Sequence, residues 1–152
     1  ALGSKDAVAI LPNVIKKLRL ARQNGEEIVF TRDTHFENYP STQEGKKLPI
    51  LHCVKGTDGW EIVDGLCNGE RVFDKPTFGS LELAAFIKEE EFSEVELIGV
   101  CTDICVVSNA LLIKAYCPEV SLKVDANCCA GVSKESHDAA LKTMASCQVE
   151  IL

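Results

Sequence analysis

The sequence predicts an α/β domain: a three-layer α/β/α sandwich around a parallel, Rossmann-like sheet. Short apolar segments rich in β-branched residues alternate with longer segments of helical period, and that alternation requires parallel pairing with right-handed crossovers. The tightest junction is the second indication. Val95 to Val100 reads as a buried strand, Ile104 to Tyr116 as a buried helix, and only Cys101-Thr102-Asp103 separates them. With 152 residues, 46% of them hydrophobic, the chain suffices for one domain with a substantial core.

Taken in order, Ser4 to Gln23 carries Val8, Leu11, Val14, Ile15 and Leu18 near one helical face, with Gly25 placed to end the helix. In an alternating α/β chain such a helix follows a strand. None precedes it here, so the chain is expected to be the remainder of a longer polypeptide, its sheet missing a first strand. Glu27 to Thr31 is the first strand expected. Arg32 to Gly69 has little periodicity, and an irregular stretch of that length in a compact domain is usually functional. Arg71 to Phe73 reads as a strand, Ser80 to Glu90 as a helix capped by Ser80, and Val120 to Val124 as a strand. Ser133 to Ser146 is a helix with Ser133 as N-cap, and Gln148 to Leu152 a last strand. No repeat, low-complexity tract or linker interrupts the series.

A formal net charge of -7 without a basic run argues against a nucleic-acid footprint or an anionic membrane surface. No apolar run has the length of a membrane span and no signal segment opens the chain. A small-molecule partner and a homo-oligomeric state are expected. Most of the eight cysteines (Cys53, Cys67, Cys101, Cys105, Cys117, Cys128, Cys129 and Cys147) sit in core-like segments of a domain large enough to need no staples, which favours a reducing cytoplasm.

Chemistry concentrates beyond the carboxyl ends of the predicted strands, where sheets of this class place their sites. Asp33, Lys75 and Cys105 each follow a strand and would converge on one edge. With Thr102 or Asp103 as N-cap, Cys105 falls in the first helical turn, where the helix dipole favours a thiolate. The stretch alone leaves open that Cys105 is a small buried hydrophobe. A second constellation is Asp33-Thr34-His35, then Glu44, then His52. Asp-x-His in an extended turn presents both side chains to one ion, and a distant histidine closes the site while leaving positions for water and substrate. The ordinary alternative is a turn-capping Asp33 and two loop histidines. His137 is expected on the exposed face of a late helix, outside any ligand set.

Four segments together, Thr31-Arg32-Asp33-Thr34-His35, His52-Cys53-Val54-Lys55-Gly56-Thr57, Lys75-Pro76-Thr77-Phe78-Gly79-Ser80 and Gly99-Val100-Cys101-Thr102-Asp103-Ile104-Cys105-Val106, resemble in order the motifs of isochorismatase-like cysteine hydrolases, and most of all nicotinamidases. The resemblance implies an aspartate, lysine and cysteine triad in which Lys75 matches the lysine and Cys105 the nucleophile. The family's aspartate lies on a first strand ahead of the segment where this sequence begins, and no residue here matches it. The resemblance further implies an oxyanion hole from the amides of Cys101 and Cys105 beside a cis Val100-Cys101 peptide, and metal ligation by Asp33, His35 and His52. Glu44 stands at a spacing similar to that of a further ligand or supporting acid. Zinc suits the set, and manganese or iron would be accepted. Phe78 and Val100 match pocket positions, whereas Leu48-Pro49-Ile50-Leu51 lacks the aromatic residue that often stacks on the substrate ring from there.

The function so implied is conversion of nicotinamide to nicotinate and ammonia through a thioester on Cys105. A lowered thiol pKa should make Cys105 the first cysteine alkylated. A catalytically silent binding or oligomerisation module of the same fold, and an isochorismatase-type hydrolase of another small molecule, are the alternatives.

Overall fold

The computed structural model describes residues 2–152. Its opening helical stretch is two helices rather than one: α1 (Lys5–Ala9), capped by the Ser4 hydroxyl, and α2 (Leu11–Asn24). Pro12 is the reason, because it has no amide to donate to the preceding turn and fits only the start of a helix. Gly25 closes α2 in the left-handed conformation expected of it (φ 71°).

The strands are β1 (Val29–Asp33), β2 (Arg71–Lys75), β3 (Glu94–Val100), β4 (Ser121–Ala130) and β5 (Glu150–Ile151). Between them lie α3 (Gln43–Lys47), α4 (Leu81–Glu89), α5 (Val107–Tyr116) and α6 (Lys134–Ser146). The caps expected at Ser80 and Ser133 are present, each side chain accepting from an amide of the first turn. β4 runs six residues beyond the segment expected. Its second half, Asp125-Ala-Asn-Cys-Cys-Ala, has a polar start that broke the apolar pattern, yet Cys129 and Ala130 pair with Gly99 and Val100.

All pairings are parallel, but the strands divide into a pair, β1-β2, and a trio, β3-β4-β5, with no ladder between the two among the described residues. Alternation along each strand builds the layers. Val29 of β1 and Leu97 of β3 pack on the large core with Leu83, Ile87, Ile113 and Met144, whereas Phe30 and Ile98 face the cluster of Val14, Leu18 and Cys128 beneath α2. Helices α4, α5 and α6 therefore cover one face and α2 the other, as the three-layer expectation requires. The large core is densely filled, with Ala110, Ile113, Val124 and Met144 excluded from solvent. Truncating a side chain such as Ile113 to alanine would cost about 2–5 kcal/mol. No helix is long and apolar enough to cross a membrane.

Candidate active site and metal centre

β1 and β2 pair Asp33 with Lys75 in register, so their side chains leave the same sheet edge as neighbours. Lys75 is 3% exposed, and its ammonium donates to the Asp33 carboxylate, to the Thr77 carbonyl (3.2 Å) and to the Cys105 sulfur (3.5 Å). The other Asp33 oxygen lies 4.0 Å from that sulfur. Three sequence positions separated by 42 and 30 residues thus meet within one contact shell. The convergence read from strand ends is the observed one.

Cys105 does not stand in an ordinary helical turn. Thr102–Val106 is a π-helical turn leading into α5, and its Cys101 carbonyl accepts from both Ile104 (3.1 Å) and Val106 (3.0 Å). The N-cap is Cys101, without a side-chain bond. Thr102 and Asp103, expected to cap, point elsewhere: Thr102 to His137 and Asp103 to the Val132 amide. The Val100-Cys101 peptide is cis. The Cys101 amide favours the anionic form of the Cys105 sulfur.

The thiol pKa runs opposite to expectation. Burial pushes Cys105 above its ordinary value of 9.0 and the neighbouring Asp33 charge adds to this, while Lys75 and the Cys101 amide oppose it without prevailing. Cys105 rests as a thiol and needs a base to become a nucleophile. Cys101 and Cys128 are pushed to about 11 and Cys129 to about 12, mainly by burial. A raised pKa removes the acidity that would favour Cys105 in alkylation, and Cys147 is the exposed cysteine.

A second cluster lies two residues on from Asp33. His35, Glu44 and His52 bring their ligand atoms within 4.8 Å of one another. Glu44 Oε1 is 3.6 Å from His35 Nε2 and 3.7 Å from His52 Nε2. Backbone pairing sets the two histidines side by side: the His35 amide donates to the Cys53 carbonyl and the Lys55 amide to the His35 carbonyl, both at 2.9 Å. Asp33 is not in this cluster. The reason is electrostatic, because the buried Lys75 ammonium facing it across the strand pair offers a full charge.

Three residues support the site, and of these Tyr39 and Gly45 carried no signal in the sequence. Tyr39, 1% exposed, packs on both imidazoles with ring centroids 4.6 and 5.1 Å away, and its hydroxyl donates to the Leu48 carbonyl. Gly45 lets α3 lie against the Tyr39 turn, since a Cβ there would stand 2.0 Å from the Tyr39 carbonyl oxygen. The Trp60 indole donates to Thr34 (2.9 Å), and the Arg32 guanidinium lies 3.4 Å from its ring centroid, so Trp60 steadies the strand end between the two clusters. Phe78 and Val100, the expected pocket residues, are 39% and 48% exposed.

The cluster fits a divalent ion. His35 Nε2 is buried and has no hydrogen-bond partner, a position costly to leave empty-handed. His52 Nδ1 lies 2.7 Å from the Ile50 carbonyl, so its N–H donates there and Nε2 keeps a lone pair toward Glu44.

A thiol, a buried lysine and a carboxylate at the open edge of a parallel α/β sandwich, beside an imidazole and carboxylate cluster, form a hydrolase-like site. The chain belongs to the isochorismatase family, whose isochorismatase domain matches residues 1–152. It is 29% identical over 158 residues to a probable inactive nicotinamidase of Arabidopsis thaliana, covering 92% of this chain and 76% of that protein. Among solved structures, it superposes on the zinc complex of Pyrococcus horikoshii pyrazinamidase with a TM-score of 0.87, 26% identity and coverage of 100% and 89%. It superposes on the pyrazinamidase/nicotinamidase of Streptococcus mutans with a TM-score of 0.83, 30% identity and coverage of 97% and 87%.

Two outcomes follow from this geometry. Gly45→Ala should displace α3 and Glu44 with it, destabilising the fold by about 1–3 kcal/mol and weakening zinc binding about tenfold or more; unchanged zinc affinity by competition titration would contradict the packing argument. The pH at which Cys105 alkylation is half-maximal should lie above 9, fall in Asp33→Asn because a negative neighbour is removed, and rise in Lys75→Met because a positive one is. Peptide mapping after timed iodoacetamide exposure reads all three.

Proposed function

We propose that this chain is a nicotinamidase-like amidohydrolase that converts nicotinamide to nicotinate and ammonia. The observation that carries the reading is the meeting of Lys75, Asp33 and Cys105 at one sheet edge, with His35, Glu44 and His52 adjoining. An amide carbonyl needs a strong nucleophile, donors for the developing oxyanion and a proton for the departing amine. The Cys105 thiol loses its proton to the carboxylate beside it, a position Asp33 occupies here, and the sulfur attacks the amide carbon. The Cys101 and Cys105 amides receive the oxyanion. The carboxylic acid returns the proton to nitrogen as the C–N bond breaks and ammonia leaves; the carboxylate then takes a proton from the water that attacks the thioester and gives it to the Cys105 sulfur as the C–S bond breaks and nicotinate is released. Lys75 holds the carboxylate and the sulfur together and stabilises each anionic form in turn.

His35, Glu44 and His52 are the residues that would hold a divalent ion; two imidazoles and a carboxylate suit zinc, and manganese or iron would be accepted. When bound, the metal would supply a Lewis-acid contact for a lone pair on the substrate's ring. Phe78 and Val100 would flank that ring. Eight free thiols suit a reducing cytoplasm.

A silent module of the same fold is favoured by one observation, the Arabidopsis relative named as probably inactive. Ammonia release separates the two. Zinc-loaded protein should release ammonia from nicotinamide, and Cys105→Ala should lower that rate by about 10⁴-fold or more with zinc content unchanged. Hydrolysis that survives the alanine change would remove Cys105 as nucleophile, and none in the parent protein would leave the silent module.

A further inference from the structure

Thr102 opens the turn that carries Cys105 and is excluded from solvent. Its hydroxyl lies 2.8 Å from Nδ1 of His137 and donates to it when the neutral imidazole carries its proton on Nε2. One residue on, the Asp103 carboxylate accepts from the Val132 amide at 3.0 Å. Both side chains thereby tie the turn to α6 and the loop leading into it. The approach requires Gly131, where a Cβ would stand 2.9 Å from Asp103 Oδ1 and 2.9 Å from His137 Cβ.

His137 sits on a firm base. Its own amide donates to the Ser133 carbonyl at 2.9 Å, one turn into a helix whose N-cap hydroxyl accepts from Ser136. Within itself the π-helical turn has the Ile104 and Val106 amides on the Cys101 carbonyl, and the Asn109 side chain donates to the Cys105 carbonyl at 2.8 Å. The turn lacks a side-chain cap, and π turns are rare and commonly mark functional positions. Its shape decides where the Cys105 sulfur and the Cys101 amide stand relative to Lys75.

We infer that His137 is a positioning residue for the nucleophile: through Thr102 it anchors the Thr102–Val106 turn to α6 and so holds Cys105 against Lys75. The inference rests on the hydrolase reading in taking Cys105 as the nucleophile. The His137 side chain bonds to Thr102 and not to the thiol, the lysine or the His35–Glu44–His52 cluster, so it acts through the turn. His137 also borders a cleft of about 250 Å³ with Asp6, Ile10 and Cys129.

The test compares the zinc-loaded parent protein with His137→Ala, His137→Asn, Thr102→Val and the His137→Ala/Thr102→Val double variant, each checked for folding by circular dichroism. Two readouts are taken: nicotinamide hydrolysis, and the alkylation rate of Cys105 relative to the exposed Cys147. His137→Ala and Thr102→Val should each lower kcat about 10- to 100-fold through displacement of the sulfur, with KM changed less than about twofold. Both should slow Cys105 alkylation, because the thiol leaves the ammonium. His137→Asn, whose side-chain oxygen can stand where Nδ1 does, should restore most of the rate, and the double variant should be no worse than either single change. Parental alkylation and kcat in Thr102→Val, or additive losses in the double variant, would overturn the inference. Should His137→Ala not fold, the Thr102→Val and His137→Asn pair decides by the same criteria. A parent protein that releases no ammonia would remove the hydrolase reading, while the alkylation comparison would still decide whether His137 positions Cys105.

Discussion

A lysine ammonium at 3% exposure is tolerable only if every proton it carries finds an acceptor, and in this chain the acceptors are the site. Lys75 is held in β2 by backbone pairing to β1, so the ammonium cannot withdraw to solvent. Asp33 supplies the countercharge, Thr77 a carbonyl from the turn that follows, and Cys105 a sulfur from across the sheet. Removing any of the three would leave a buried charge short of a partner. The same constraint that stabilises the sheet edge therefore assembles a nucleophile beside an acid-base group.

The two clusters are adjacent because β1 ends between them. Asp33 turns to Lys75, while Thr34 donates its amide to the Lys75 carbonyl and accepts the Trp60 indole, and His35 continues into the loop that carries His52. Alternate residues of an extended chain point to opposite sides, so Asp33 and His35 leave Thr34 between them facing away. Tyr39 then packs against both imidazoles, and Glu44 closes the cluster from α3.

Much of this was legible in the sequence because it depends on period and spacing. Helices α4 and α6 are flagged by their serine caps, and Asp33, Lys75 and Cys105 by falling at strand ends. What escaped depends on long-range partners. The break at Ile10 is the exception, since Pro12 marks it locally. β4 is extended by its register with Gly99 and Val100, which no local pattern announces. Two features depend on charges that motif spacing does not show: Asp33 faces the Lys75 ammonium rather than joining His35, Glu44 and His52, and burial with the Asp33 charge raises the Cys105 pKa. Tyr39, Gly45 and His137 matter through contacts with residues 4 to 35 positions away, and a tyrosine, a glycine and a histidine in unremarkable surroundings give no local sign of that.

The whole site depends on the Lys75 ammonium being shared between Asp33 and Cys105. The most direct measurement is the ¹⁵N-correlated NMR signal of the lysine ammonium groups, with Lys75 assigned by its loss in Lys75→Met. A narrow, slowly exchanging Lys75 signal that shifts on Asp33→Asn and again on methylthiolation of Cys105 is the predicted result. A Lys75 signal averaged with those of surface lysines, indifferent to both changes, would contradict it.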